Sequence, residues 1–410
     1  MEVGIEALNI YGGSAYIDVR TLFKARGLDL ERFDNLLMEK KSVGLPCEDP
    51  ITNAVNAAKP IIEKLTEEER NRIEMVIACS ESGLDFGKAM STYIHDYLGL
   101  SRNCRLFEVK QACYAGTASL HMACCFIAAN VSPGAKALVI ATDIARAAVR
   151  MTYAEPSQGV GAAAMLVSNK PEVLEVDLGA TGYYSYEVMD TYRPLPDIET
   201  GDPDLSLLSY LDCLENSYKA YEEKVEGAHF GETFDYLAFH TPFAGMVKGA
   251  HRKMMRQFVK AHGNEIEEDY QKRVMPSLRY CVKVGNVYSA SLYFALSSLI
   301  DHASLNGFQR VGLFSYGSGC SSEFYSGLIS SRSKAAMQDM RIGERLESRY
   351  ALTMEEYDRL IDLNTEWIFG IKDKDVDVSS YAEIYEHSLK GQRLLVLKKI
   401  KNYHREYDRS

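Results

Sequence analysis

Arg105-Leu-Phe-Glu-Val-Lys-Gln-Ala-Cys113-Tyr-Ala-Gly-Thr-Ala-Ser119 is the stretch that decides how the chain is read. A β-rich run gives way after Val109 to a tight polar turn, and the small residues from Ala115 onward open a helix. A buried strand that passes at once into a helix belongs to an α/β layer. The alternation continues in both directions, with strands predicted over 4–11, 74–79, 105–109, 137–142, 162–167, 172–178, 235–240, 310–316 and 323–329. Helical spacing fills 51–65, 86–98, 115–129, 205–225, 245–262 and 289–302 between them. The pattern predicts an α/β fold of largely parallel strands, covered by helices on both faces.

The order repeats. One half is expected over 1–170 and a second over 171–410, divided at the polar, Pro-containing turn 169–171. No Gly/Ser linker separates them, so one compact body is expected. The last sixty or so residues are more charged, and their Lys/Arg-rich segment 389–405 reads as a solvated C-terminal cap.

Composition narrows the function classes. The chain is 46% hydrophobic and 25% charged, which suits a packed globule and excludes a disordered chain. A net charge of −11 argues against nucleic acid as a partner. No run of apolar residues is long enough for a membrane span. The start, MEVGIEALNIYGG, has no basic leader and reads as a first strand, so a cytoplasmic protein is expected. The nine cysteines then read as reduced thiols, and no Cys-x-x-Cys pair suggests a metal site.

Three residues stand where a strand ends. Cys113 precedes a helix of small residues, where the helix dipole and free N–H groups would lower a thiol's pKa and favour a nucleophile. Glu81, in Cys79-Ser-Glu-Ser-Gly83, reads as a general base if a partly apolar site raises its pKa, and otherwise as a helix cap. His240 is followed by Thr241-Pro242, which enforces an extended exit and holds the imidazole at a strand tip. The Gly-rich segments around Asn286 and Ser318 allow close backbone approach and an oxyanion hole. Lys248, His251, Arg252, Lys253 and Arg256 give one helix a cationic face, suited to an anionic pantetheine-bearing partner.

Taken together, these segments resemble the 3-hydroxy-3-methylglutaryl-CoA synthase family over nearly the whole chain. The resemblance is carried by ESGLD at Glu81, KQACYAGT at Cys113, TDIAR from Thr142 and EPSQGVGA from Glu155. YRP from Tyr192, FHTPF at His240, GNVYSASLY at Asn286 and FSYGSG from Phe314 complete it. Within the family, RFDNLL, AVNAAKPII, EVMDTYRP and LSLLSYLDC look closest to the branch acting beside modular polyketide synthases. That resemblance implies a thiolase fold, with two similar halves in a five-layer αβαβα sandwich, and a homodimer. It implies a C–C bond-forming acyltransferase in which an acetyl group on Cys113 adds to a β-ketoacyl thioester. Donor and acceptor acyl carrier proteins are the implied partners, with phosphopantetheine carried by the partner and no resident cofactor or metal. Cys113 matches the acylated nucleophile, Glu81 the general acid/base and His240 the residue polarising the acceptor carbonyl. Asn286 and Ser318 match substrate contacts, while Ser157, Asp29 and Lys248 fall at or near the pantetheine path. Residues 147–154 depart from the Gly-containing loop of the mevalonate enzymes, which leaves acyl-pocket shape open.

Other readings remain. The same chemistry on acetyl-CoA and acetoacetyl-CoA would serve mevalonate formation. A ketoacyl synthase or thiolase would share the fold but pair its cysteine with other residues. A non-catalytic carrier-protein scaffold would retain the surface and lose the reaction.

Overall fold

The computed structural model describes residues 2–145, 149–152, 154–195, 198–365 and 369–410. Its main sheet has nine strands. They are β1 (Gly4–Tyr11), β2 (Ile73–Cys79), β3 (Arg105–Val109), β4 (Lys136–Asp143), β5 (Gly161–Ser168), β6 (Leu174–Ser185), β7 (Tyr236–Phe239), β8 (Gln309–Gly317) and β9 (Ser321–Ile329). Each falls on a run predicted from apolar, β-branched content. In space they follow the order β7-β8-β9-β6-β1-β5-β4-β2-β3. The two halves of this ladder meet at a narrow seam, where β1 pairs with β6 through Gly4–Glu175 and Ile5–Leu174.

The expectation of largely parallel strands is corrected. Three of the eight strand pairs, β2–β3, β2–β4 and β7–β8, are parallel and the rest antiparallel. β4 and β5 are buried at every residue. Burial on both faces produces a continuous apolar run whatever the strand direction, so the sequence pattern cannot report it. The turn between β8 and β9 spans only Ser318 to Cys320, far too short for a parallel crossover.

Six helices complete the layers: α1 (Pro50–Lys64), α2 (Met90–Tyr97), α3 (Ala115–Ala128), α4 (Pro203–Lys224), α5 (Ala244–Met254) and α6 (Ser291–His302). α1 packs on β1, β4 and β5, and α2 on β2 and β3. Asp49 caps α1 by accepting from Thr52 N at 2.9 Å, a contact worth about 1 kcal/mol. α4 covers β6, β8 and β9 on the far side, with α5 against α4. Between the two arms lie α3 and α6. α3 touches β2, β4 and β5, while its His121 ring meets Tyr325 of β9 edge-on. α6 touches β1, β7 and β8. The helices meet where Thr117 Oγ1 and Tyr293 OH are 3.0 Å apart. Gly116 is required there, because a Cβ would stand 2.6 Å from the Ser289 carbonyl oxygen. The order is helix, sheet, helix, sheet, helix, which is the five-layer sandwich the resemblance implies.

The tail is not simply solvated. Leu395–Lys401 and His404–Arg409 form an antiparallel hairpin. Leu395, Leu397, Ile400 and Tyr407 are buried while Lys398 and Lys401 point outward. Tyr407 OH and Arg405 Nη1 reach Asp49 at 2.7 and 3.1 Å, so the hairpin docks on the start of α1. Its charge content hides the buried positions, and a register shift between Leu397 and Lys399 interrupts any two-residue alternation. Ala15–Asp18 and Lys40–Val43, also absent from the sequence prediction, pair with each other, and Ala15–Asp18 also pairs with Tyr350–Ala351.

Candidate active site

Parallel pairing turns separate strand ends into one site. β2 runs parallel to both β3 and β4, so their C-terminal ends open on the same edge. Glu81 follows β2, Cys113 follows β3, and Asp143 is the last residue of β4. Ser80 N donates to Val109 O at 3.2 Å and holds the first two exits together. In the second half β7 is parallel to β8, His240 N donates to Phe314 O at 2.7 Å, and Ser318 follows β8. The edges meet at Gly317. A Cβ there would sit 2.6 Å from both Gln111 O and Tyr114 N, so only glycine lets β8 close on the Cys113 turn. Ala112, at φ 43°, makes that turn sharp enough to present Cys113.

Cys113 Sγ donates to Glu81 Oε2 across 3.7 Å. The expected low thiol pKa is corrected. Burial pushes the Cys113 thiol well up, and the Glu81 and Asp143 carboxylates push it further. The helix begins only at Ala115, so Cys113 stands outside its first turn, where the dipole effect fades. At rest it is a thiol facing a base. Burial raises the Glu81 carboxyl to about 7, opposed by Arg193 and reinforced by Asp143 and Glu199. A carboxyl in that range can both accept and return a proton near neutral pH.

Asp143 anchors the loop. It is fully buried, and Oδ1 accepts from Ser80 Oγ, Glu81 N, Ser82 N and Ser82 Oγ at 2.9–3.1 Å. Its Oδ2 takes Ser289 Oγ at 2.5 Å and Ser289 N at 3.1 Å, tying the base's loop to the entry of α6. Tyr114, directly after Cys113, donates to buried Glu323 of β9 at 2.7 Å. Glu323 also accepts from Thr181 at 2.5 Å and lies 3.2 Å from His121 Nε2. Both sides of the nucleophile's turn are thus held by the other half.

His240 is buried, and desolvation lowers its pKa to about 3. It is a neutral imidazole throughout the working range. Its Nδ1 is buried without a partner, while Tyr210 OH fixes its carbonyl at 2.8 Å.

Asn286 and Ser157 lie together. Asn286 N donates to Ser157 O at 2.6 Å, and Asn286 Oδ1 accepts from Tyr288 N and Ser291 Oγ. The Ser318 carbonyl accepts from Gln111 Nε2 at 3.5 Å, which places Ser318 beside the Cys113 turn. Among the described residues, the backbone N–H groups of Cys113 and Ser318 have no acceptor. Asp29 and Lys248 do not join this group. Asp29 is exposed and caps the helix Leu30–Leu36. Lys248 is bound to Glu267 at 2.9 Å. The cationic face shrinks with it: His251 is fully buried against Asp269, and Lys253 is paired with Glu215, leaving Arg252 and Arg256 exposed. Helical spacing placed these residues near one another but could not show which neighbouring acids neutralise them. Residues 146–148 and 153, which fall in TDIAR and the divergent 147–154 stretch, lie outside the described residues.

Sequence reasoning gave no role to Arg193, Glu199, Asp143 or Glu323. Asp143 ends a wholly buried strand with an apolar centre, and the strand-tip rule that selected Glu81 would have found it. Arg193 and Glu199 carry no such signal, since they lie on a largely exposed hairpin, Thr191–Leu195 with Ile198–Gly201.

Matches to known proteins follow this geometry. Residues 1–172 match the N-terminal hydroxymethylglutaryl-coenzyme A synthase family model, and 173–269 and 255–409 match the C-terminal one. The chain is 53% identical over 416 residues to the polyketide biosynthesis 3-hydroxy-3-methylglutaryl-ACP synthase PksG of Bacillus subtilis, covering 99% of each. It is 32% identical to the hydroxymethylglutaryl-CoA synthase of Enterococcus faecalis, covering 88% of this chain and 91% of that one. Among solved structures, the curacin-pathway HMG synthase in complex with holo donor-ACP superposes with TM-score 0.98 at 55% identity, covering 100% of both chains.

Proposed function

The chain belongs to the hydroxymethylglutaryl-coenzyme A synthase family, and we propose that it builds an HMG-like β-branch on a carrier-bound polyketide. The donor is an acetyl-acyl carrier protein and the acceptor a β-ketoacyl group on a second carrier protein. The observation that carries the chemistry is the Cys113–Glu81 contact, a nucleophile and base 3.7 Å apart inside a buried site. Support for carrier proteins over free CoA comes from full-length likeness to an HMG-ACP synthase and to an HMG synthase bound to donor-ACP.

In the first step Glu81 accepts the Cys113 proton as sulfur attacks the acetyl carbonyl, and returns it to the departing pantetheine sulfur, which leaves as a thiol. The free N–H groups of Cys113 and Ser318 suit the developing oxyanion. Glu81, once ionised again, removes a methyl proton from acetyl-Cys113. The resulting enolate carbon attacks the β-keto carbon of the acceptor. His240 polarises that ketone as a neutral hydrogen-bond donor, since its low proton affinity rules out a standing imidazolium. The alkoxide takes up a proton, water cleaves the Cys113 thioester, and a carboxylate forms on a product still attached to its carrier. Each step uses side chains and backbone of this chain, with phosphopantetheine arriving on the partner.

Asn286 and Ser157 are assigned to the acyl thioester path, and Asp29 and Lys248 to its outer rim. The working form is assigned as a cytoplasmic homodimer. No helix among the described residues is long and apolar enough to cross a membrane.

The test is intact-protein mass spectrometry with acetyl-carrier protein and acetyl-CoA as competing donors. Acetylation of Cys113 by the carrier protein, absent in Cys113→Ser, is expected. Preferential labelling by acetyl-CoA would favour the mevalonate reading, and a label retained in Cys113→Ser would overturn the nucleophile assignment.

A further inference from the structure

Arg193 is the cation closest to the proposed base, yet it comes from neither strand tip. Its Nε stands 3.2 Å from Glu81 Oε1, close as an ion pair but out of line for a hydrogen bond. Its Nη2 donates to Glu199 Oε2 at 2.6 Å, and the guanidinium lies 4.8 Å above the Tyr288 ring. Glu199 is clamped in turn, accepting from Gln158 Nε2 at 2.5 Å. The Arg193 side chain is about 10% exposed, and its Nη1 is buried with no partner. One hairpin therefore delivers the cation on Thr191–Leu195 and its counter-charge on Ile198–Gly201.

We propose that Arg193 is the positioning residue for Glu81. Held by Glu199 and Tyr288, it fixes the carboxylate against the Cys113 thiol and keeps it available as a base. This rests on the reading of Glu81 as the base of the family reaction. The charged and titratable groups facing Glu81 are Cys113 from the β3 turn, Asp143 from β4, Arg193 and Glu199 from the hairpin, and Tyr288 before α6. Only Arg193 among them favours the ionised form by its charge. Without it, a carboxylate in this desolvated site would hold its proton to higher pH. The unused Nη1 donor also separates this arrangement from a saturated structural ion pair, in which the donors would all be spent.

The readout is methyl hydrogen–deuterium exchange of acetyl-Cys113, loaded from acetyl-N-acetylcysteamine and followed over about pH 5.5–9.5. In Arg193→Met the inflection is expected to move up by about one pH unit, with exchange near neutrality falling about fivefold and recovering in alkali. Glu199→Gln removes the opposing charge and is expected to move it down, while Arg193→Lys stays close to wild type. If the single Arg193 variant fails to fold, Arg193→Met/Glu199→Gln keeps the buried charges balanced, and its inflection is expected above that of Glu199→Gln alone; an inflection at or below it would overturn the proposal. A uniform loss at every pH with the inflection unmoved would overturn the proposal, as would a Glu199→Gln shift in the same direction as Arg193→Met. Failure of the carrier protein to acetylate a wild-type enzyme that the small thioester does load would count against the carrier reading alone.

Discussion

Replacing Glu81 with glutamine should change how stability depends on pH, by an amount set by the burial of its carboxyl. The side chain is 16% exposed, so solvent screening takes little from the effect. The folded carboxyl holds its proton up to about pH 7, against an ordinary glutamate value of 4.5 in the unfolded chain. That gap of about 2.5 pH units is worth about 3 kcal/mol. A raised folded pKa contributes stability that is complete below the unfolded value and is lost as pH climbs through the folded one. Wild type should therefore lose about 2–3 kcal/mol from this group between about pH 5 and pH 8.5, and Glu81→Gln should not. Glutamine also takes one of two carboxylates from Arg193, which keeps Glu199. That penalty is the same at both pH values and cancels when the two pH differences are compared. Urea unfolding followed by circular dichroism, at one protein concentration, measures both variants at both pH values. Stability curves that stay parallel within about 0.5 kcal/mol would show that Glu81 is not held protonated by burial. The account of its base chemistry would then fall as well.

Other substitutions separate the steps. His240→Ala should acetylate Cys113 within a few-fold of wild type while condensation falls about a hundredfold, as read by mass spectrometry of enzyme and acceptor carrier. Equal loss in both steps would contradict a role confined to the acceptor ketone. With its pKa near 3, His240 should also add no inflection to the wild-type condensation profile around the ordinary histidine value of 6.5. Tyr114→Phe leaves buried Glu323 short of a donor and should cost about 1–3 kcal/mol in thermal or urea unfolding. The same variant should slow Cys113 acetylation, because Tyr114 holds the following side of the nucleophile's turn.

The nine strands of the main sheet and the positions of Cys113, Glu81 and His240 were legible because both depend on local pattern. An apolar run of strand length followed by a polar residue marks a strand tip, and open α/β sheets gather their chemistry at such tips. Strand direction escaped the same reading, since a strand buried on both faces looks alike whichever way it runs. The charged tail escaped it for another reason: buried Leu395, Val396 and Leu397 are followed by Lys398, Lys399 and Lys401, and the register shift between Leu397 and Lys399 breaks the alternation that would mark a strand.

The state of the nucleophile belongs wholly to the tertiary structure. From sequence, Cys113 was a thiol helped by a helix end; in the fold it is a buried thiol hydrogen-bonded to a carboxyl near neutrality. Arg193, Glu199, Asp143 and Tyr288 meet Glu81 from positions up to about two hundred residues away, and none touches it by virtue of sequence spacing. Periodicity reports which face of a segment is buried, a property each segment carries alone. The proton affinity of a buried group is a sum over every charge around it, and that sum exists only once the chain has closed.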